Sequence, residues 1–365
     1  MASRSSLARV CCELGGIKSM KNCFMDGMNG MNRMNRLIFA TTAFLLSALA
    51  LSGGCDDRAK NPSADATTTA PAAVILQLNW VPEPEFGGMF AALQDGLYAA
   101  QGLAVEIRKG GAQVPCAQLA ASGQVQFAVV SGEEVLTLRE KGGAITAVFA
   151  TFQNNPTGLL LHASNPIDSL EALWKSSSTI GIDPGAGFVK LLNARYGGDQ
   201  LKLVPYSGAL ATFLATPDSV QQCFITAEPV ECQLRGVAVK VLSIAPIFNP
   251  YGAVIVVNDA YLRDNPKLVD AFVRATAEGW RRYLASPERY NPAIAALNPS
   301  MTLEAMNLAA QLEKPLIDPT GDGVGIGHMT AERWQSSADD LTKIGVITGP
   351  VNVDQIFLKS PMSAP

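Results

Sequence analysis

The chain is poor in the side chains from which most catalytic and metal sites are built. Only two histidines, His162 and His328, occur in 365 residues, and they lie in different regions. Histidine-based metal sites and Ser-His-Asp triads both need histidine beside its partners, so neither chemistry is well supplied. No Gly-x-Ser-x-Gly, His-Glu-x-x-His or Walker sequence is present, which removes the usual marks of serine hydrolases, zinc peptidases and nucleotidases. Lys and Arg number 28 against 32 Asp and Glu without clustering, a balance unsuited to nucleic acid or anionic lipid. Long apolar runs are scarce as well: the one from Leu37 to Leu51 falls short of the about 20 residues that span a bilayer. No repeat of 20–50 residues is visible.

That single apolar run is informative by its position. Arg33 and Arg36 precede it, and Ser52-Gly53-Gly54 leads from it into Cys55. Basic residues, an apolar stretch and small residues are the layout of a secretory signal. A cysteine directly after the small residues resembles the lipobox of bacterial lipoproteins, with Ser52 where an apolar residue is usual and Leu51 one place further out. Cys55 is therefore expected to carry a lipid anchor, outside the cytoplasm. Residues 1–30 hold Cys11, Cys12 and Cys23 without periodicity, and Met31 or Met34 would give a signal of ordinary length. The first 54 residues hold six Lys/Arg and two Asp/Glu, so the remainder keeps 22 and 30, a net charge near −8.

Beyond the signal, residues 56–71 contain no aliphatic side chain larger than alanine and read as a flexible tether. Order is expected from Ala73. Strands are predicted over Val74–Trp80, Ala104–Arg108, Val125–Val130 and Ile145–Phe152, with helices over Gly87–Ala100, Pro115–Ala121 and Glu133–Lys141 between them. The same alternation returns with a helix capped by Asp168 and its reciprocal Glu171. Strands Thr179–Asp183, Leu201–Tyr206, Cys223–Thr226, Val239–Ile244 and Gly252–Val257 follow, then helices from Pro266 to Ile344. Alternating strands and helices give an α/β class with parallel-rich sheets. Cys223 and Cys232 either close a small disulfide loop or are two buried thiols, and Cys116 reads as a small apolar helix residue.

In order along the chain, several segments resemble one family. They are Trp80, Gly87-Gly88, Asp95-Gly-Leu-Tyr-Ala-Ala-Gln-Gly-Leu103, Ala121-Ser-Gly-Gln-Val-Gln-Phe127, the Gly181–Gly187 turn, Ile225-Thr-Ala-Glu-Pro229 and Met329-Thr-Ala-Glu-Arg-Trp334. The family comprises the solute-binding components of ABC importers for sulfonates, nitrate, taurine and thiamine-pyrimidine precursors. The resemblance covers roughly residues 73–347 and implies a type II periplasmic-binding-protein fold, two α/β lobes joined by two crossing strands. Lobe one would be 73–161 plus 252–347 and lobe two 162–251, with crossings near Leu159–Ser164 and Pro250–Val257. Residues 348–365 would be a tail. The resemblance also implies a monomer that uses no cofactor and delivers its solute to a membrane permease.

Ligands of open α/β sheets sit beyond the carboxyl ends of strands, so the turns there supply the candidates. After the first strand come Trp80, Glu85, Phe86, Gly87 and Gly88: an aromatic face, an acid, and glycines that let backbone N–H groups approach a ligand. Trp80 would equally serve by packing between the lobes. Ser131 stands at a helix start, with Glu133 beside it as a favourable first-turn acid. Gln153 and Asn154 offer amides, or simply build the turn before Pro156. In the second lobe the candidates are Gly185, Ala186 and Gly187, then Tyr206, then Glu228, with Tyr251 at the second crossing. Glu228 is either a ligand carboxylate or a helix cap before Pro229. Three glutamates and only Lys190 near these turns favour a neutral or mildly cationic heterocycle, pyrimidine- or vitamin-precursor-like, over nitrate or a sulfonate. Family members that bind the thiamine pyrimidine carry Asn-His where this chain has Glu85-Phe86. An enzyme related to this family, a eukaryotic thiamine-pyrimidine synthase, uses a cysteine-rich loop and an active-site histidine; this chain has no Cys-Cys-Cys run and no histidine in a candidate turn. A lipoprotein reporting to a membrane sensor would need the same cleft as an importer component.

Overall fold

The computed structural model describes residues 70–359, apart from 112, 184–185 and 207–209. Cys55, the signal region and most of the tether lie outside the described residues, as does Gly185. The described residues belong to one compact unit. It opens with β1 (Ala72–Gln77), a short 3-10 turn (Pro84–Phe86), α1 (Gly87–Gln94), α2 (Leu97–Ala100), β2 (Leu103–Arg108), α3 (Cys116–Ala121), β3 (Phe127–Val130), α4 (Gly132–Glu140) and β4 (Ile145–Phe152). There follow β5 (Thr157–His162), α5 (Leu170–Trp174), β6 (Thr179–Ile182), α6 (Phe188–Tyr196), β7 (Lys202–Pro205), α7 (Ala211–Ala215), β8 (Val220–Phe224), α8 (Glu228–Leu234) and β9 (Val239–Ser243). The chain returns through β10 (Gly252–Asn258) and ends in α9 (Asp259–Asp264), α10 (Pro266–Ala285), α11 (Pro287–Leu297), α12 (Leu303–Ile317) and α13 (Ala331–Lys343).

The strands make two five-stranded sheets, ordered β2-β1-β3-β10-β4 and β7-β6-β8-β5-β9. Both are mixed. The pairs β1–β2, β1–β3, β6–β7 and β6–β8 are parallel, whereas β10 runs antiparallel to β3 and β4, and β5 antiparallel to β8 and β9. Parallel and antiparallel pairings are equal, four of each, so the expected excess of parallel pairing is absent among the described residues. Each sheet accepts one strand that arrives from the other half and enters in reverse. Strand β5 belongs wholly to the second sheet, so the first passage between sheets lies at residues 153–156 rather than near Leu159–Ser164. The second occupies 244–251, before β10.

Apolar sequence explains the first half. Phe127–Val130 and Ile145–Phe152 are buried along their whole length, as expected for strands covered on both faces. Helix α10 buries one face, including Trp280 and Tyr283, against α1. The approach is close: a Cβ on Gly88 would stand 2.2 Å from the Trp280 ring, and one on Gly279 2.1 Å from the Gly88 carbonyl oxygen. Two details differ from the sequence reading. The cap of α5 is Ser169, whose hydroxyl accepts the Ala172 N–H, rather than Asp168. The segment read as a tail instead packs: Ile356 and Phe357 are buried, and the Leu358 N–H donates to the Ala147 carbonyl of β4.

Candidate functional site

A cavity of about 250 Å³ lies between the two halves. Trp80 and Glu83 reach it from the loop after β1, Glu228, Glu231 and Arg235 from α8, and Met301 from the turn before α12. Its chemistry is set by carboxyl groups. Glu228 Oε2 accepts the Phe224 N–H at 2.9 Å, and Oε1 accepts the hydroxyl of Tyr206, the residue after β7. Two donors aimed at one carboxyl is the arrangement that holds it ionised. Burial nevertheless pushes Glu228 above the ordinary carboxylate range.

Glu83 faces this pair, and its pKa is pushed up to about 8. Burial is the main cause, followed by the charges of Glu228 and Glu231; the side chains of Trp80 and Asn298 pull the other way. At neutral pH Glu83 thus keeps a proton to donate, beside Glu228, whose two carboxyl oxygens each accept a hydrogen bond. Deeper in the first half stand Glu85 and Glu313, both buried and both held well above the ordinary range, chiefly by burial and then by neighbouring glutamates. Glu313 Oε2 has no hydrogen-bond partner among the described residues.

The side chains expected to touch a ligand divide sharply. Trp80 and Glu228 line the cavity, and Tyr206 holds Glu228. Glu85 points into the core, at 7% exposure, and Glu83 takes the position expected of it. The cause is the tight turn beginning at Pro84: with three residues per turn, side chains two apart point in different directions. Phe86, Gly87 and Gly88 are core residues as well. The Gly87 N–H is spent on the Pro84 carbonyl, and the glycines give room to Tyr283 and Trp280 rather than to a ligand. Ser131 caps α4 in a reciprocal box with Glu134. Gln153 donates to the carbonyls of Ala150 and His328, and Asn154 is exposed. Tyr251 is buried, accepts the Thr330 N–H on its hydroxyl at 2.9 Å, and lies under the Arg333 guanidinium at 4.1 Å from the ring centre. In the second-half turn, the Ala186 N–H donates to Asp183, while the Gly187 N–H meets Glu133.

Cys223 and Cys232 are free buried thiols, which settles the alternative left open by their spacing. Burial pushes Cys232 up to about 11, Cys116 up to about 12, and Cys223 well above its ordinary value. No described group of three His, Cys, Asp or Glu side chains is placed to hold a metal ion, and no described helix is long and apolar enough to cross a membrane. A larger hollow of about 590 Å³ lies over the second sheet, floored by Gly181 and Gln221, with Tyr206 also in its wall. It gathers no buried acid, whereas the smaller cavity does.

The family model described as NMT1/THI5 like matches residues 83–290, more than half of the chain. The chain belongs to this family. It is similar to a riboflavin-binding protein of Chloroflexus aurantiacus, 28% identical over 330 residues, covering 83% of this chain and 92% of the relative. It is also similar to a formylaminopyrimidine-binding protein of Halalkalibacterium halodurans, 23% identical over 309 residues, covering 78% and 89%. Among solved structures, the alkanesulfonate-binding protein SsuA of Xanthomonas axonopodis pv. citri, bound to MOPS, superposes with a TM-score of 0.60 at 12% identity over 80% of this chain and 99% of its own. The desulfurization enzyme DSZB superposes with a TM-score of 0.54 at 14% identity over 78% and 96%. At such identities these likenesses establish the periplasmic-binding-protein fold alone.

Proposed function

We propose that this protein is the extracytoplasmic solute-binding component of an ABC importer, anchored through a lipid on Cys55, and that it captures a small heterocycle between its two halves. It acts as a monomer, uses no cofactor and passes its solute to a membrane permease. The observation that carries this reading is the pairing of Glu228, an acceptor held by Tyr206 and the Phe224 N–H, with the neutral acid Glu83 in one cavity. A ring edge bearing an amino or imide N–H next to a ring nitrogen or carbonyl oxygen satisfies both: its N–H donates to Glu228, and its acceptor receives a hydrogen bond from the Glu83 O–H. Trp80 supplies a flat face for the ring. At about 250 Å³ the cavity is at the small end of ligand sites, which commonly measure about 300–1,000 Å³, a size suited to one ring system. The two heterocycle-binding relatives support the same class.

An anionic solute is disfavoured by the same geometry. Arg235 is the cation at the cavity, and its guanidinium is paired with Glu231 at 3.2 Å. Catalysis of the kind found on this fold in a desulfurization enzyme lacks an activated nucleophile, because each described cysteine is buried with its thiol pKa raised, the reverse of a reactive thiolate.

The test is mass spectrometry on residues 56–365 made in a bacterial periplasm. Native spectra show whether a molecule co-purifies, and denaturing spectra weigh it. A released flavin or aminopyrimidine is the expected result. A released sulfonate would overturn the solute class while leaving the fold untouched.

A further inference from the structure

Glu133 has no part in the cavity just described. It is the second residue of α4, on the chain leaving β3 of the first sheet. Its carboxyl group lies against the backbone of Gly187, the residue from which α6 of the second half springs, with Oε1 in the space a side chain there would occupy. Gly187 has φ −66 and ψ −26, ordinary right-handed values that any residue adopts, so backbone conformation does not call for glycine. Space does. A Cβ there would stand 2.1 Å from Glu133 Oε1 and 2.6 Å from its Cδ. The long acid and the missing side chain fit only each other, and they join segments that belong to different sheets. The site is well enclosed: burial raises the Glu133 pKa to about 7, Glu134 and Asp183 add to the rise, and Lys190 on α6 opposes it.

We propose that Glu133 and Gly187 form a clasp that holds the two halves closed over the solute, with Glu133 acting as a positioning residue for closure. This rests on the solute-binding reading above, in which the halves open and shut. The acid sits at the start of α6, where the helix N–H groups have no partner within the helix and the dipole is positive. Opening returns both groups to water. The clasp therefore biases the equilibrium toward the closed form without touching the solute.

The experiment needs no solute. Spin labels on Ser336→Cys of α13 and Ala194→Cys of α6, both exposed positions, report the separation of the halves by pulsed electron resonance. The closed-to-open ratio is expected to fall about tenfold in Glu133→Ala, the effect of losing one charge-assisted hydrogen bond. Gly187→Ala, which pushes the carboxylate off the N–H, falls by a similar factor. The double variant falls no further, because both changes remove the same contact. Glu133→Gln, which keeps an acceptor oxygen, retains most of the closed population. Unchanged distances in the single variants, or losses that add in the double variant, would overturn the clasp. Because the readout is independent of any ligand, that failure leaves the solute class standing, and a wrong solute class leaves the clasp standing. Thermal melts of each variant separate loss of closure from loss of fold.

Discussion

The two halves are built from similar elements but packed very differently. In the first, β3 and β4 are buried from end to end, and α1 and α10 approach so closely that glycines are needed on both sides. In the second, all four residues of β7 are exposed, Leu203 and Val204 at 45% and 43%, and β9 is half-buried throughout. A densely packed half encloses Glu85 and Glu313, whose pKa values burial raises, and holds Trp80 and Glu83 in fixed positions. The thinner half carries Tyr206 and Glu228 near the end of one strand and the start of one helix. Platform and cap are the natural roles of the two, since low packing density marks the elements that move.

One substitution placed in each half gives the widest contrast. Gly279→Ala should cost about 3 kcal/mol or more, because its Cβ would press on the Gly88 carbonyl oxygen at 2.1 Å and Ala92 at 2.7 Å, with backbone on one side and little freedom to give. Thermal melting would register it as a fall of many degrees. Loss of Glu228 comes next and acts on the cap alone. In Glu228→Ala, affinity for the co-purifying heterocycle should drop about 10-fold or more by calorimetry, with a fall in stability of about 1–3 kcal/mol because the Tyr206 hydroxyl and the Phe224 N–H lose their acceptor.

A pH series probes the platform's side of the cavity. Folding raises the pKa of Glu83 from 4.5 to about 8, so the folded state favours the protonated form. The stability this contributes is complete below the unfolded value and is lost as pH rises from there through about 8. Melting temperatures should therefore decline toward alkaline pH, and Glu83→Gln, which is permanently neutral, should flatten that decline. A steeper decline in the variant would mean that Glu83 is charged in the fold. The smallest expected effect is Gly181→Ala in the cap, where the nearest atom to the new Cβ is Gln221 Cβ at 3.4 Å, an ordinary contact. Stability, read by thermal melting, should change by less than about 0.5 kcal/mol. If it matched Gly279→Ala, the contrast between the halves would be lost.

Much of the fold could be read from residue patterns because burial leaves a strong imprint on composition. Runs such as Phe127-Ala-Val-Val130 and Ile145–Phe152 have one stable place, inside a covered sheet. What patterns do not carry is partnership. Nothing local to Gly252–Asn258 reveals that this strand enters between β3 and β4 in reverse, and nothing in Asn352–Leu358 reveals that it returns to β4. The site shows the same limit at finer scale. Pro82-Glu-Pro-Glu-Phe86 draws attention as an acidic turn, yet which glutamate faces the cavity depends on how Pro84 starts its tight turn. Gly87-Gly88 is conspicuous for the right reason, close approach, but the approaching group is an aromatic helix. Glu133 looks like an ordinary first-turn acid because its partner lies 54 positions away on the other sheet.

The central claim is that the cavity reads a neutral or mildly cationic ring through one acceptor and one protonated acid. Titration calorimetry at neutral pH tests it directly, with riboflavin, a formylaminopyrimidine and MOPS each added to the protein stripped of any bound solute. Saturable binding of at least one heterocycle and none of the sulfonate is the expected result. Saturable binding of MOPS with no response to either heterocycle would contradict it.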